Sequence, residues 1–139
     1  KSIEVVRHYE QGDPQILGLT RNLIEAFINL ITNACQAMQE GGRLTITTTT
    51  RLDESQRERL RERNLLASNY LMVAVADTGC GIPPENRDRV FRRFFTTKED
   101  GTGLGLAAVQ RLVRKNLGHI DFESSVGVGT TFYVYLPKA

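Results

Sequence analysis

Leu71-Met72-Val73-Ala74-Val75-Ala76-Asp77-Thr78-Gly79-Cys80-Gly81-Ile82 orders the rest of this chain. Its first half is an unbroken apolar run, and the spacing predicts a strand over 70–77 that is buried on both faces. Its second half sets a carboxylate at the strand end, followed by two glycines one residue apart. That pattern lets backbone approach a flat ligand closely. Further along, Gly101-Thr102-Gly103-Leu104-Gly105-Leu106 runs into Ala107 to Val113, which has the composition of a helix. Glycines leading into a helix N-terminus leave N–H groups unpaired, and phosphates bind there. Phe91-Arg92-Arg93-Phe94-Phe95-Thr96-Thr97-Lys98 lies between the two. One stretch therefore supplies a base-recognition end and a phosphate end, joined by a segment able to move. Each half alone is a weak signal, because glycine clusters mostly mark turns and G-x-G-x-G is neither a P-loop nor a dinucleotide fingerprint.

The second informative stretch lies upstream, where a helix is predicted from about Arg21 to Gln39 with Thr20 as N-cap. Leu23, Phe27, Leu30, Ile31, Ala34 and Met38 share one face and form its core stripe. Glu25, Asn29, Asn33 and Gln36 line up elsewhere, within roughly one quarter of the circumference at 100° per residue. A solvated face is one reading of that polar stripe. The other rests on the residue type: Asn is a poor helix former, and two of them one turn apart suit carbonyl oxygens aimed at a hard cation such as Mg²⁺. Both readings stand on the residues alone.

Around these stretches the chain reads in order as follows. Ser2 to Glu10 is a strand, Gly12-Asp13-Pro14 a turn, and Ile16 to Leu19 a short second strand closing a hairpin. Gly41-Gly42 ends the long helix, and Arg43 to Thr50 is β-branched with period 2, hence a strand. The charged segment 52–69 carries Ser55-x-x-Glu58 as a capping box and reads as a solvated helical turn. Pro83-Pro84 suits a turn that starts a short helix over 85–91. After the helix opening near Gly103, His119 to Ser124 and Thr130 to Leu136 are strands joined by the tight turn Gly127-Val128-Gly129. Hairpin-linked strands with few helices argue for an α+β fold, a two-layer sandwich in which helices cover one face of a mixed, mostly antiparallel sheet.

The chain has 139 residues, enough for one sizeable core, so a single domain is expected. A formal charge of +2 gives no global argument for nucleic acid or an anionic membrane surface. Cys35 and Cys80 make no disulfide framework and no Cys/His group has metal spacing, so a reduced, cytoplasmic setting is expected. No apolar run approaches the roughly 20 residues that span a bilayer. The chain opens mid-strand without an initiator Met, which suggests a domain excised from a longer protein.

With its motifs in this order, the chain resembles the ATP-binding catalytic domain of sensor histidine kinases, within the GHKL ATPase superfamily. Asn29-Leu30-Ile31-Thr32-Asn33-Ala34 looks like the N box and Asp77-x-Gly79-x-Gly81-Ile82 like the first glycine box. Phe91, Phe94 and Phe95 resemble the F box, Gly101 to Leu106 the second glycine box, and Gly127-x-Gly129-Thr130 the last. The F-F-T-T-K segment and G-T-G-L-G-L are most similar to the nitrogen-regulation and PAS-linked type.

The resemblance implies a role for each matching residue. Asp77 would accept a hydrogen bond from the adenine amino group, with Thr130 assisting through water. Gly79 and Gly81 would admit the base, and Ile82 would line the pocket. Asn33, helped by Asn29, would hold Mg²⁺. Phe94, Thr97 and Lys98 of the lid would contribute to the nucleotide site, and Gly101, Thr102, Gly103, Leu104, Gly105 and Leu106 would hold the phosphates. Asn29 and Lys98 are the expected catalytic positions. The acceptor would be a histidine on a helical dimerisation and phosphotransfer domain of the same protein, with a response regulator downstream. The isolated domain is expected to be monomeric. His8 and His119 lack the helical context of a phosphoacceptor. Gln36 and Thr96 depart from the family, where basic residues are usual, so cationic help for phosphoryl transfer falls to Lys98.

Other functions remain open on the sequence. One is a free-standing serine kinase of the anti-sigma-factor type, whose second glycine box usually departs from G-T-G-L-G-L. Another is a module that holds nucleotide and acts by protein contact alone, against which Asn33, Asp77 and the glycine boxes argue. A non-nucleotide structural domain would have to make all these boxes coincidental.

Overall fold

The computed structural model describes residues 2–93, 95 and 105–139, and it sets the apolar run at the centre of a five-stranded sheet among those residues. That run is β3 (Tyr70–Asp77), between β2 (Gly42–Thr49) and β5 (Gly129–Pro137), with β1 (Ile3–His8) and β4 (His119–Ser125) at the edges. β1 pairs with β2 in parallel, and the other pairings are antiparallel.

Both faces of β3 are covered, which is why its sequence shows no alternation. Leu71, Val73 and Val75 point one way, to join Phe132, Val134 and Leu136 of β5. Two helices close that side: α1 (Thr20–Ala37) through Leu23, Ala26, Leu30 and Ala34, and α3 (Gly105–Lys115) through Val109, Leu112 and Val113. Burial of each such Leu or Val contributes about 1.5–3 kcal/mol. Tyr70, Met72 and Ala74 point the other way and pack with Tyr135, Leu52 and Leu60. Leu60 comes from α2 (Glu54–Glu62), so the charged connection is more than a solvated turn: it lays a smaller apolar cover on the opposite face.

Several local expectations are corrected. No hairpin follows β1; Ile16 makes a single antiparallel bridge to Lys138 instead. β1 runs parallel to β2, and a parallel pair needs a crossover, which α1 supplies. Among the described strands, only β4 and β5 are joined by a tight turn. Thr20 is the first helical residue rather than the N-cap of α1. Leu19 takes the cap position without a side-chain bond, and its N–H donates to Asn116 Oδ1 at 2.7 Å. Asn116 also donates through Nδ2 to the Leu112 carbonyl at 2.8 Å, so one buried amide ties the end of α3 to the start of α1. The capping box of α2 is Asp53 with Gln56, one turn closed by two reciprocal bonds, and Ser55 lies inside the helix. Arg59 and Arg63 of this segment pair with Asp121 on β4, and Arg59 also reaches Glu123, which occupies them within the molecule.

Candidate functional site

Asp77 ends β3 on the helix-covered side and is buried, with 7% exposure. Its Oδ1 accepts from the Gly79 N–H at 2.9 Å and from the Thr130 N–H at 3.2 Å. Thr130 is its register partner on β5, so a central strand and its neighbour deliver this pair together.

The glycines around Asp77 work by excluding side chains between backbones. A Cβ on Gly79 would stand 2.5 Å from the Ala37 carbonyl oxygen at the end of α1. At Gly81, where φ is +79°, a Cβ would stand 2.3 Å from the Ser125 carbonyl oxygen. Two further bonds staple these segments: Cys80 N–H to Ala37 O at 3.3 Å, and Gly127 N–H to Cys80 O at 2.9 Å. The end of α1, the first glycine box and the β4–β5 turn thus converge. Ile82, half-buried, packs against the main core.

The polar stripe of α1 divides on exposure. Glu25 and Gln36 are exposed, whereas Asn29 and Asn33 are half-buried. Asn29 Nδ2 reaches the carbonyl of Gly105, the first residue of α3, at 3.5 Å. Asn29, Asn33 and Ala37 are successive turns of one stripe. The stripe therefore meets the second glycine box at one end and the first at the other, about 12 Å apart along the axis at 1.5 Å per residue. Leu106 is half-buried and packs on the core, while Gly105 has open space where a Cβ would project. Phe94, Thr97, Lys98, Gly101, Thr102, Gly103 and Leu104 lie outside the described residues, as does Thr96.

Two contributors escape sequence reasoning. Ser124 Oγ, buried on β4, accepts from the Ile82 N–H at 2.7 Å and lies 2.8 Å from Thr130 Oγ1. Arg87, in a 3-10 turn at Pro84–Arg89, donates to the Ser124 carbonyl. The available signal for Ser124 is its position: it shares the inward face of β4 with Ile120 and Phe122, where a polar residue calls for a partner.

Neither histidine is on a helix. His8 is exposed at the end of edge strand β1. His119 stands edge-on to Tyr70 with ring centroids 5.8 Å apart, and burial, then the Arg63 charge, holds its pKa below the ordinary histidine value. No helix among the described residues is long and apolar enough to cross a membrane.

Comparison with known proteins points one way. The chain is 42% identical over 113 residues to the sensor kinase CckA of Brucella abortus, a match covering 80% of this chain and 12% of that protein. It is 39% identical over 142 residues to the sensory histidine kinase/phosphatase NtrB of Vibrio alginolyticus, covering 99% of this chain and 38% of that protein. The chain therefore spans well under half the length of these curated relatives. Among solved structures, the mycobacterial sensor histidine kinase MprB superposes with a TM-score of 0.77 at 28% identity, over 98% of this chain and 82% of that one. Full-length ShkA, crystallised with AMPPNP, gives 0.76 at 29% identity, over 99% of this chain and 26% of that one. Residues 18–139 match the family described as histidine kinase-, DNA gyrase B- and HSP90-like ATPases, and this chain belongs to it.

Proposed function

We propose that this chain binds Mg-ATP and donates the γ-phosphoryl group to a histidine on a separate helical dimerisation domain of the same protein, for relay to a response regulator. The observation that carries this reading is the single stripe of α1 that touches both glycine boxes, through Asn29 at Gly105 and through Ala37 at Gly79 and Cys80. In this reading the base end and the phosphate end stand at the two ends of one helix segment. The sensor-kinase relatives and the AMPPNP complex of a structural neighbour support the same assignment.

In this reading the Asp77 carboxylate accepts from the adenine amino group, and Thr130 assists beside it. Gly79, Gly81 and Ile82 shape the base pocket. The amide oxygens of Asn33 and Asn29 would hold Mg²⁺, which neutralises phosphate charge when bound. Residues 101–106 would cradle the phosphates, and Lys98 would supply the cation that Gln36 and Thr96 do not.

Two outcomes test the assignment. Asn33→Ala is expected to spare binding of metal-free nucleotide and to weaken Mg²⁺-dependent binding about tenfold, the weight of one ligand bond to a charged centre. Calorimetry with and without Mg²⁺ reads this directly, and an unchanged metal dependence would reduce the Asn stripe to a helix face. The purified chain, incubated with γ-labelled ATP, should acquire no acid-labile label, since neither of its histidines has a helical acceptor context. Label on His8 or His119 would overturn that expectation, and transfer to a serine of a partner would favour the anti-sigma-type reading.

A further inference from the structure

The Ser124 hydroxyl sits where three segments of the site meet, and its proton count is informative. β4 directs it to the helix-covered side, where the residue is 8% exposed. It has three polar neighbours: the Ile82 N–H at 2.7 Å, the Gly129 carbonyl at 3.2 Å and the Thr130 hydroxyl at 2.8 Å. A hydroxyl owns one proton and two lone pairs. The Ile82 N–H can only donate, so it takes one lone pair. The Gly129 carbonyl can only accept, so it takes the Ser124 proton. The Thr130 hydroxyl must then donate to the remaining lone pair. This is the arrangement that uses all three contacts, and it leaves Thr130 Oγ1 with lone pairs alone for a group on its other side.

We infer that Ser124 is a positioning and specificity-determining residue: by fixing the Thr130 hydroxyl as an acceptor beside the Asp77 carboxylate, it selects a purine with an amino group at position 6 over one with a carbonyl there. The inference rests on the base-pocket reading proposed above. Backbone reinforces the arrangement. The Thr130 N–H is already committed to Asp77 Oδ1 at 3.2 Å, and Arg87 holds the Ser124 carbonyl from the 3-10 turn. Without the Ser124 hydroxyl the Thr130 proton loses its acceptor, and rotation about its C–O bond turns that proton toward the ligand. An edge that only accepted would then also donate, which suits a carbonyl.

The test is calorimetry on this chain with ADP and with IDP, which carries a carbonyl in place of the amino group. Wild type should bind ADP more tightly than IDP. Ser124→Ala should narrow that ADP-to-IDP ratio by about three- to tenfold, the effect of one hydrogen bond. General loosening of the fold would weaken both nucleotides together and leave the ratio alone. Ser124→Thr keeps the hydroxyl and should keep the ratio; its loss there too would assign the effect to packing and overturn the inference. A full wild-type ratio in Ser124→Ala would also overturn it, while leaving the base pocket itself standing. Wild type without any preference for ADP would overturn both. Should Ser124→Ala fail to fold, Ser124→Cys, close in shape but a weak hydrogen-bonding group, reads the same ratio with the same outcomes.

Discussion

Asp77→Asn is expected to lower ATP and ADP affinity by about ten- to hundredfold while the protein still folds. The amide can keep an oxygen where Oδ1 accepts from Gly79 and Thr130, at 2.9 and 3.2 Å, so the backbone around it retains its partner. On the proposed function, what changes is the face offered to the base. A carboxylate only accepts, whereas an amide also presents an N–H₂ group, which repels the amino group of adenine. A hydrogen bond to a charged partner is worth about 1.5–3 kcal/mol, which sets the range of the loss. Calorimetry on the variant, with circular dichroism as the folding control, checks both halves. Equal nucleotide binding by wild type and Asp77→Asn would remove Asp77 from the base pocket.

The second large effect concerns stability. Gly129→Ala should destabilise the protein by about 2–4 kcal/mol and lower its melting temperature by about 10 °C. A Cβ there would lie 2.0 Å from the Asp77 carbonyl oxygen, and φ is +141°, a region that L side chains rarely adopt. Neither obstacle yields to a side-chain rotation, because the clash is with main chain between β3 and β5. The movement that relieves it separates Asp77 from Thr130, so nucleotide affinity should fall as well. Gly127→Ala is the contrast: φ is +79° there, but nothing lies within 4 Å of the added methyl, so strain alone is felt. Thermal denaturation of the two variants side by side measures the difference, and equal melting temperatures would refute the clash argument.

How far the sequence speaks differs from place to place, for physical reasons. β3 is legible to the residue, because burial on both faces demands an unbroken apolar run that a polar end residue then closes. The α+β class and the helix-covered sheet are legible through the periodicity of α1 and the β-branched run of β2. The pairing of β1 is not, since a short amphipathic strand carries no mark of the direction of its neighbour. The second apolar cluster is hidden because Leu52 and Leu60 are sparse among charges, and only the fold brings Tyr135 beneath them. Within the site, Asp77 and the glycines stand out by residue type. Ser124 does not, because its importance lies in a register that sets it against Thr130.

The stripe from Asn29 to Ala37 makes α1 a ruler. A helix cannot be lengthened by one residue without turning everything beyond it by 100° and advancing it 1.5 Å. One insertion between Asn29 and Ala37 would therefore carry Ala37 off the Gly79 backbone while leaving Asn29 on Gly105. The spacing of the two glycine boxes is thus gauged by the pitch of a helix that belongs to neither. The 50–69 connection, anchored by its own apolar cluster, lies outside this calibrated span.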